Sequence, residues 1–130
     1  MGSILGNTRR ADISFHRNGR IDITATVAKT LKLSKGDIID VDYRNGEYRL
    51  YVRLRECEAI GRHEAQCYPT KEGSHNLRAN SKRLCRAILA ACNAVKEAKL
   101  LIGEVVEFPP FGLAISLITR NNLATNDTRD

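Results

Sequence analysis

Residues 19–41, GRIDITATVAKTLKLSKGDIIDV, change their hydrophobic period twice within one short run. Ile21 and Ile23 alternate with polar neighbours, as a half-buried strand requires. Val27, Ala28 and Leu31 then recur at helical spacing, and alternation returns at Ile39 and Val41. With Gly19-Arg20 at one end and Lys35-Gly36-Asp37 near the other, the segment predicts a strand, a short helix and a second strand.

Working outward, residues 11–17 (ADISFHR) and 20–24 (RIDIT) flank Asn18-Gly19, a hairpin-turn dipeptide. Downstream, residues 37–43 (DIIDVDY) and 47–54 (EYRLYVRL) flank the turn Arg44-Asn45-Gly46. The second half repeats the organisation with little residue identity. Residues 64–70 and 75–81 flank Lys71-Glu72-Gly73-Ser74. A helix over 81–95, a strand over 99–108, the Pro109-Pro110 corner and a strand over 112–119 follow. Both halves read strand, strand, helix, strand, strand. The expected core is Ile21, Ile23, Leu31, Ile39, Val41, Leu50, Val52, Leu84, Ile88, Ile102, Val105, Ile115 and Leu117.

At 130 residues and 42% hydrophobic content, the chain suits one compact domain or two small fused units. No apolar run approaches membrane-spanning length, and MGSILGNTRRAD lacks the continuous apolar core of a secretory signal. The expected location is cytoplasmic. Residues 1–55 hold eleven Lys or Arg against six Asp or Glu, whereas residues 56–130 hold ten against nine. The basic surplus thus belongs to the first half, where nucleic-acid binding and simple solubility both account for it.

The first 55 residues resemble the DNA-binding domain of the AbrB/SpoVT family, the looped-hinge or swapped-hairpin regulators and antitoxins. Gly19, Arg20, Ile21, Ile23, Val27, Leu31, Leu33, Gly36, Asp37, Ile39 and Val41 stand, without a gap, where that family has its G-R opening, helix and G-D turn. Thr24 replaces a usual proline, and its hydroxyl is expected to accept a bond from an orphan helix N–H. Lys32 stands where glycine is frequent.

The resemblance implies an α+β, mainly β fold. The expectation is a swapped-hairpin barrel formed by two fused ββαββ halves in one chain: residues 1–55, a connector at 56–64, a divergent half at 65–120, and a polar, disordered tail at 121–130. A unit of roughly 50 residues buries too little apolar surface alone. The chain is therefore expected to be a monomer with a pseudo-dimeric barrel, or a homodimer.

Four features are candidate sites. Arg9, Arg10, Arg17 and Arg20 cluster around the first hairpin, where the resemblance places DNA contacts; guanidinium groups suit phosphate oxygens and guanine edges alike. On residues 47–55, alternation sets Arg49, Tyr51, Arg53 and Arg55 on one face at a repeat of about 6.7 Å. That stripe either tracks a phosphate backbone or protects an exposed strand from edge pairing. Lys82, Arg83 and Arg86 open the second helix, capped by Asn80 or Ser81, as a secondary anion site or a solvated face. Cys57, His63, Cys67 and His75 match no zinc module, so no metal or other cofactor is expected, and Cys85 and Cys92 read as reduced thiols on an apolar helix face.

No nucleophile with a nearby base, no phosphate loop and no metal-ligand motif occurs, and no enzymatic activity is expected. The expected function is a sequence-selective, double-stranded DNA-binding transcriptional regulator, antitoxin-like and with room for a protein partner. The alternative is a non-catalytic protein-interaction module that keeps the barrel without DNA binding. Single-stranded nucleic-acid binding is a third reading, opposed by an aromatic content of 5%.

Overall fold

The computed structural model describes residues 10–55 and 63–124; Arg9, Cys57, most of the expected connector and residues 125–130 lie outside the described residues. In chain order the elements are β1 (Ile13–His16), β2 (Arg20–Ile23), α1 (Ala25–Leu31), β3 (Ile38–Arg44), β4 (Glu47–Leu54), β5 (Tyr68–Pro69), β6 (Leu77–Asn80), α2 (Lys82–Ala91), β7 (Glu97–Glu107) and β8 (Leu113–Ile118). The protein is mainly β, and strand, strand, helix, strand, strand occurs twice. Both predicted hairpin dipeptides turn the chain. At Asn45 and Gly46 both φ angles are positive, 55° and 81°, the primed geometry that matches strand twist.

The eight strands form one open, curled antiparallel sheet in the order β3-β4-β8-β7-β1-β2-β6-β5. Hairpins from the two halves alternate across it: β3-β4, then β8-β7, then β1-β2, then β6-β5. Ile13 to His16 of β1 pair with Leu100 to Glu97 of β7, and Arg20 to Ile23 of β2 pair with Asn80 to Leu77 of β6. Residues 36–39, entering β3 at one edge, also bond to residues 65–67, just ahead of β5 at the other. Gly36 N–H donates to Cys67 C=O (2.8 Å), Cys67 N–H to Asp37 C=O (2.7 Å) and Ile39 N–H to Ala65 C=O (3.1 Å).

One apolar cluster fills the curl. Phe15, Ile13, Ile21, Leu50, Ile88, Leu100 and Ile115 are fully buried within it, with α2 packed on β1, β2 and β7 and α1 on β8. Nine of the thirteen expected core residues are buried; Val41, Leu84 and Ile102 are half-buried. Val105 is 41% exposed, which corrects its expected burial. Between Ile102, opposite Leu117, and Val105, opposite Ile115, β7 carries one extra residue; this bulge keeps Val105 on the face of Ile102. It occurs at Gly103, where an added Cβ would meet Ser116 Oγ at 2.6 Å, and that hydroxyl accepts Glu104 N–H (3.0 Å).

Thr24 does occupy the α1 N-cap position, but its hydroxyl makes no capping bond. It donates instead to Asp12 C=O (2.7 Å), and Asn76 from the second half accepts Ala25 N–H (2.8 Å). Lys32 takes the left-handed conformation (φ 55°, ψ 47°) that glycine adopts freely. Arg55 then covers the carbonyl end of α1, donating to Leu31 C=O (2.9 Å) and Lys32 C=O (2.5 Å). At the far end of the chain, residues 121–124 run beside β7: Asn122 Oδ1 accepts Lys99 N–H (2.8 Å), and Leu123 N–H donates to Lys99 C=O (2.8 Å).

Candidate nucleic-acid interface

The Arg17-Asn18-Gly19 turn of β1-β2 sits against the start of α2. Gly19 C=O accepts Ser81 N–H (2.8 Å), and the Cys85 thiol lies 3.5 Å from Arg20 C=O. Gly19 has φ 102°, and a Cβ there would fall 2.9 Å from Lys82 Cγ and 3.3 Å from Lys82 N. Two cation-bearing stretches far apart in sequence are therefore adjacent here: the turn with Arg17, and α2 with Lys82 and Arg86 on successive turns. All three are exposed, and their side chains engage no hydrogen-bond or ion-pair partner among the described residues. Arg10, ahead of β1, is likewise exposed.

Arg20 is held differently. Period-two alternation puts it on the same face of β2 as Asp22, and its Nε donates to Asp22 Oδ2 (3.1 Å). Arg78 on β6 donates from Nε to Asp22 Oδ1 (2.8 Å). His16 completes the group, with Nε2 3.0 Å from Asp22 Oδ2 and Nδ1 3.3 Å from Glu97 Oε1. Burial raises the Asp22 pKa, but the Arg78 hydrogen bond and the charges of Arg20 and Arg78 outweigh it and hold the carboxyl below its ordinary value. Arg20 is thus oriented on the outer sheet face with 41% of its side chain exposed.

At α2, Ser81 is the cap: its hydroxyl accepts Leu84 N–H (3.1 Å) and donates to Glu64 Oε2 (2.7 Å). Arg83 grips the same carboxylate with two bonds, Nε to Oε2 (3.0 Å) and Nη2 to Oε1 (2.6 Å). These bonds, Arg83's first, draw the Glu64 pKa down to about 2. Glu64 therefore neutralises Arg83 and supplies the negative charge missing from the first turn of α2. The expected trio divides, with Lys82 and Arg86 beside the hairpin turn and Arg83 bound to Glu64.

The structure breaks the cation stripe expected on β4. Arg49 donates from Nη2 to Glu47 Oε1 (2.8 Å), a same-face pairing again visible in the period-two spacing. Tyr51 is buried beneath Phe108 and Phe111, whose ring centroids lie 4.8 and 4.9 Å away. Arg55 turns to the end of α1. Arg53 is exposed with no hydrogen-bond or ion-pair partner among the described residues, beside a depression of about 280 Å³ lined also by Asp40, Glu64, Ser81 and Arg83, and its charge helps to lower the Glu64 pKa.

Among the described residues no cluster of His, Cys, Asp or Glu has the geometry of a metal site, and His63 and His75 are exposed. Burial pushes the Cys67 thiol up to about 12 and those of Cys85 and Cys92 to about 11, so they stay protonated and unreactive near neutral pH. No helix among the described residues is long and apolar enough to cross a membrane. The residues the sequence did not single out are His16, Asp22, Glu64 and Arg78; Arg78 reaches Asp22 through the β2-β6 pairing of the two halves, and Glu64 reaches Ser81 and Arg83 across the second hairpin. The chain matches no family model, no curated protein and no solved structure.

Proposed function

We propose that the protein binds double-stranded DNA selectively and regulates transcription, through a swapped-hairpin barrel whose two fused halves stand in for the two chains of a dimer. The observation that carries the function is the junction of the first hairpin with α2. The turn that carries Arg17 lies against the helix start that carries Lys82 and Arg86, all three exposed cations without acidic partners among the described residues, and Arg20 beside them is held in place by Asp22. Exposed cations suit phosphates, and an oriented guanidinium suits the edge of a guanine. The alternation of hairpins from the two halves, each turn bonding the helix start of the other half, supports the barrel. Titration of the chain with genomic duplex fragments at several salt concentrations tests the reading. Salt-dependent binding with a preferred fragment is expected, and affinity equal for every fragment would remove the selectivity.

A second reading has its own observation. Tyr43 (61% exposed) and Leu113 (37%) stand near the tips of the β3-β4 and β7-β8 hairpins, with Arg44 over the Phe108 ring at 5.8 Å. Exposed aromatic and apolar groups beside arginine are what a protein-interaction module presents.

A further inference from the structure

We propose that one chain presents double-stranded DNA with a one-sided surface and so recognises an element lacking two-fold symmetry. The inference rests on the duplex-binding reading above. The two halves build two matching junctions, in which a hairpin turn of one half bonds the helix start of the other. At the first, Gly19 C=O accepts Ser81 N–H; at the second, the Asn76 side chain accepts Ala25 N–H, both at 2.8 Å. Between them β2 and β6 pair antiparallel, with Asp22 across from Arg78.

The matching junctions carry unlike chemistry. The first has Arg17, Lys82 and Arg86, exposed and without acidic partners among the described residues. At the second, the turn holds Lys71 directly beside Glu72, and Ala25 opens α1 where Lys82 opens α2; Lys29, exposed and four residues further on, matches Arg86, so the difference rests on Arg17 and Lys82. The positions facing each other across the β2-β6 pair also differ, a carboxylate against a guanidinium. Phosphate contacts are sequence-independent and fix how a protein sits on the duplex. A chain whose two junctions offer the phosphates unequal sets of cations favours one docking orientation, and among the described residues the second junction has no counterpart of Arg17 and Lys82.

The test is selection from a random duplex library with the full chain, followed by stoichiometry and parallel titration of Lys82→Gln and Lys71→Gln. Glutamine keeps the Lys82 stem against Gly19, so loss of charge is separated from loss of packing. The expected result is one chain per asymmetric element. Lys82→Gln should lower the salt slope by about one and weaken binding about fivefold at 0.15 M salt. Lys71→Gln should change affinity less than twofold. A two-fold symmetric element covered by a single chain, or equal losses from the two variants, overturns one-sidedness while leaving DNA binding standing. Failure to retain any duplex at low salt overturns both.

Discussion

Replacing Gly19 with alanine tests the interlock of the halves. The residue has φ 102°, a region that costs an L-residue about 1–2 kcal/mol. The new Cβ would also lie 2.9 Å from Lys82 Cγ and 3.3 Å from Lys82 N, so the hairpin or the start of α2 must shift. Overpacking of that kind adds about 1–3 kcal/mol. Gly46 is the control, because φ is 81° and a Cβ there meets nothing within 4 Å. Gly46→Ala should therefore cost about 1–2 kcal/mol, and Gly19→Ala about 2–5 kcal/mol. Urea unfolding followed by circular dichroism measures both. Equal costs would refute the seating of the first hairpin on the second helix.

Three further outcomes follow from the packing and the charges. Phe15→Ala, at a fully buried position, should cost about 3–5 kcal/mol, and Val105→Ala less than about 0.5 kcal/mol, by the same unfolding measurement. Lys32→Gly should stabilise the fold by about 0.5–1 kcal/mol, since the left-handed backbone at the end of α1 no longer strains a side chain. Glu64 and Asp22 have lowered pKa values in the folded chain, so their contribution is complete above the unfolded values and is lost as pH falls. For Glu64 that window runs from about 4.5 down to about 2, shallow because the side chain is 41% exposed, and Glu64→Gln should flatten a stability profile taken across it.

The order of elements was legible because each boundary coincides with a change of period or a turn dipeptide: Asn18-Gly19, Asn45-Gly46, and the stretch from Ile23 through Leu31 to Ile39. How the hairpins pair was not, since the β1-β7 and β2-β6 registers join residues more than fifty positions apart and leave no local periodicity. Val105 was misplaced for another reason: the bulge after Ile102 keeps it on the Ile102 face, opposite Ile115, yet it is 41% exposed, and how far the core extends along β7 leaves no mark in local periodicity. Half of the charge pairing was within reach. Arg20 with Asp22, and Glu47 with Arg49, lie two apart on one strand face, where opposite charges can meet. Arg83 with Glu64 is a tertiary contact, as is the Phe108 and Phe111 cover on Tyr51. The gathering of Arg17 with Lys82 and Arg86 likewise arises only when one half's turn meets the other half's helix.

That gathering is tested most directly by the double variant Arg17→Gln/Lys82→Gln, titrated beside the parent chain against a preferred and a random duplex over a range of salt. With the circular dichroism spectrum and urea midpoint preserved, both affinities should fall and the salt slope should decrease by about two. Unchanged affinity and slope in the folded double variant would show that duplex DNA is not bound through this junction.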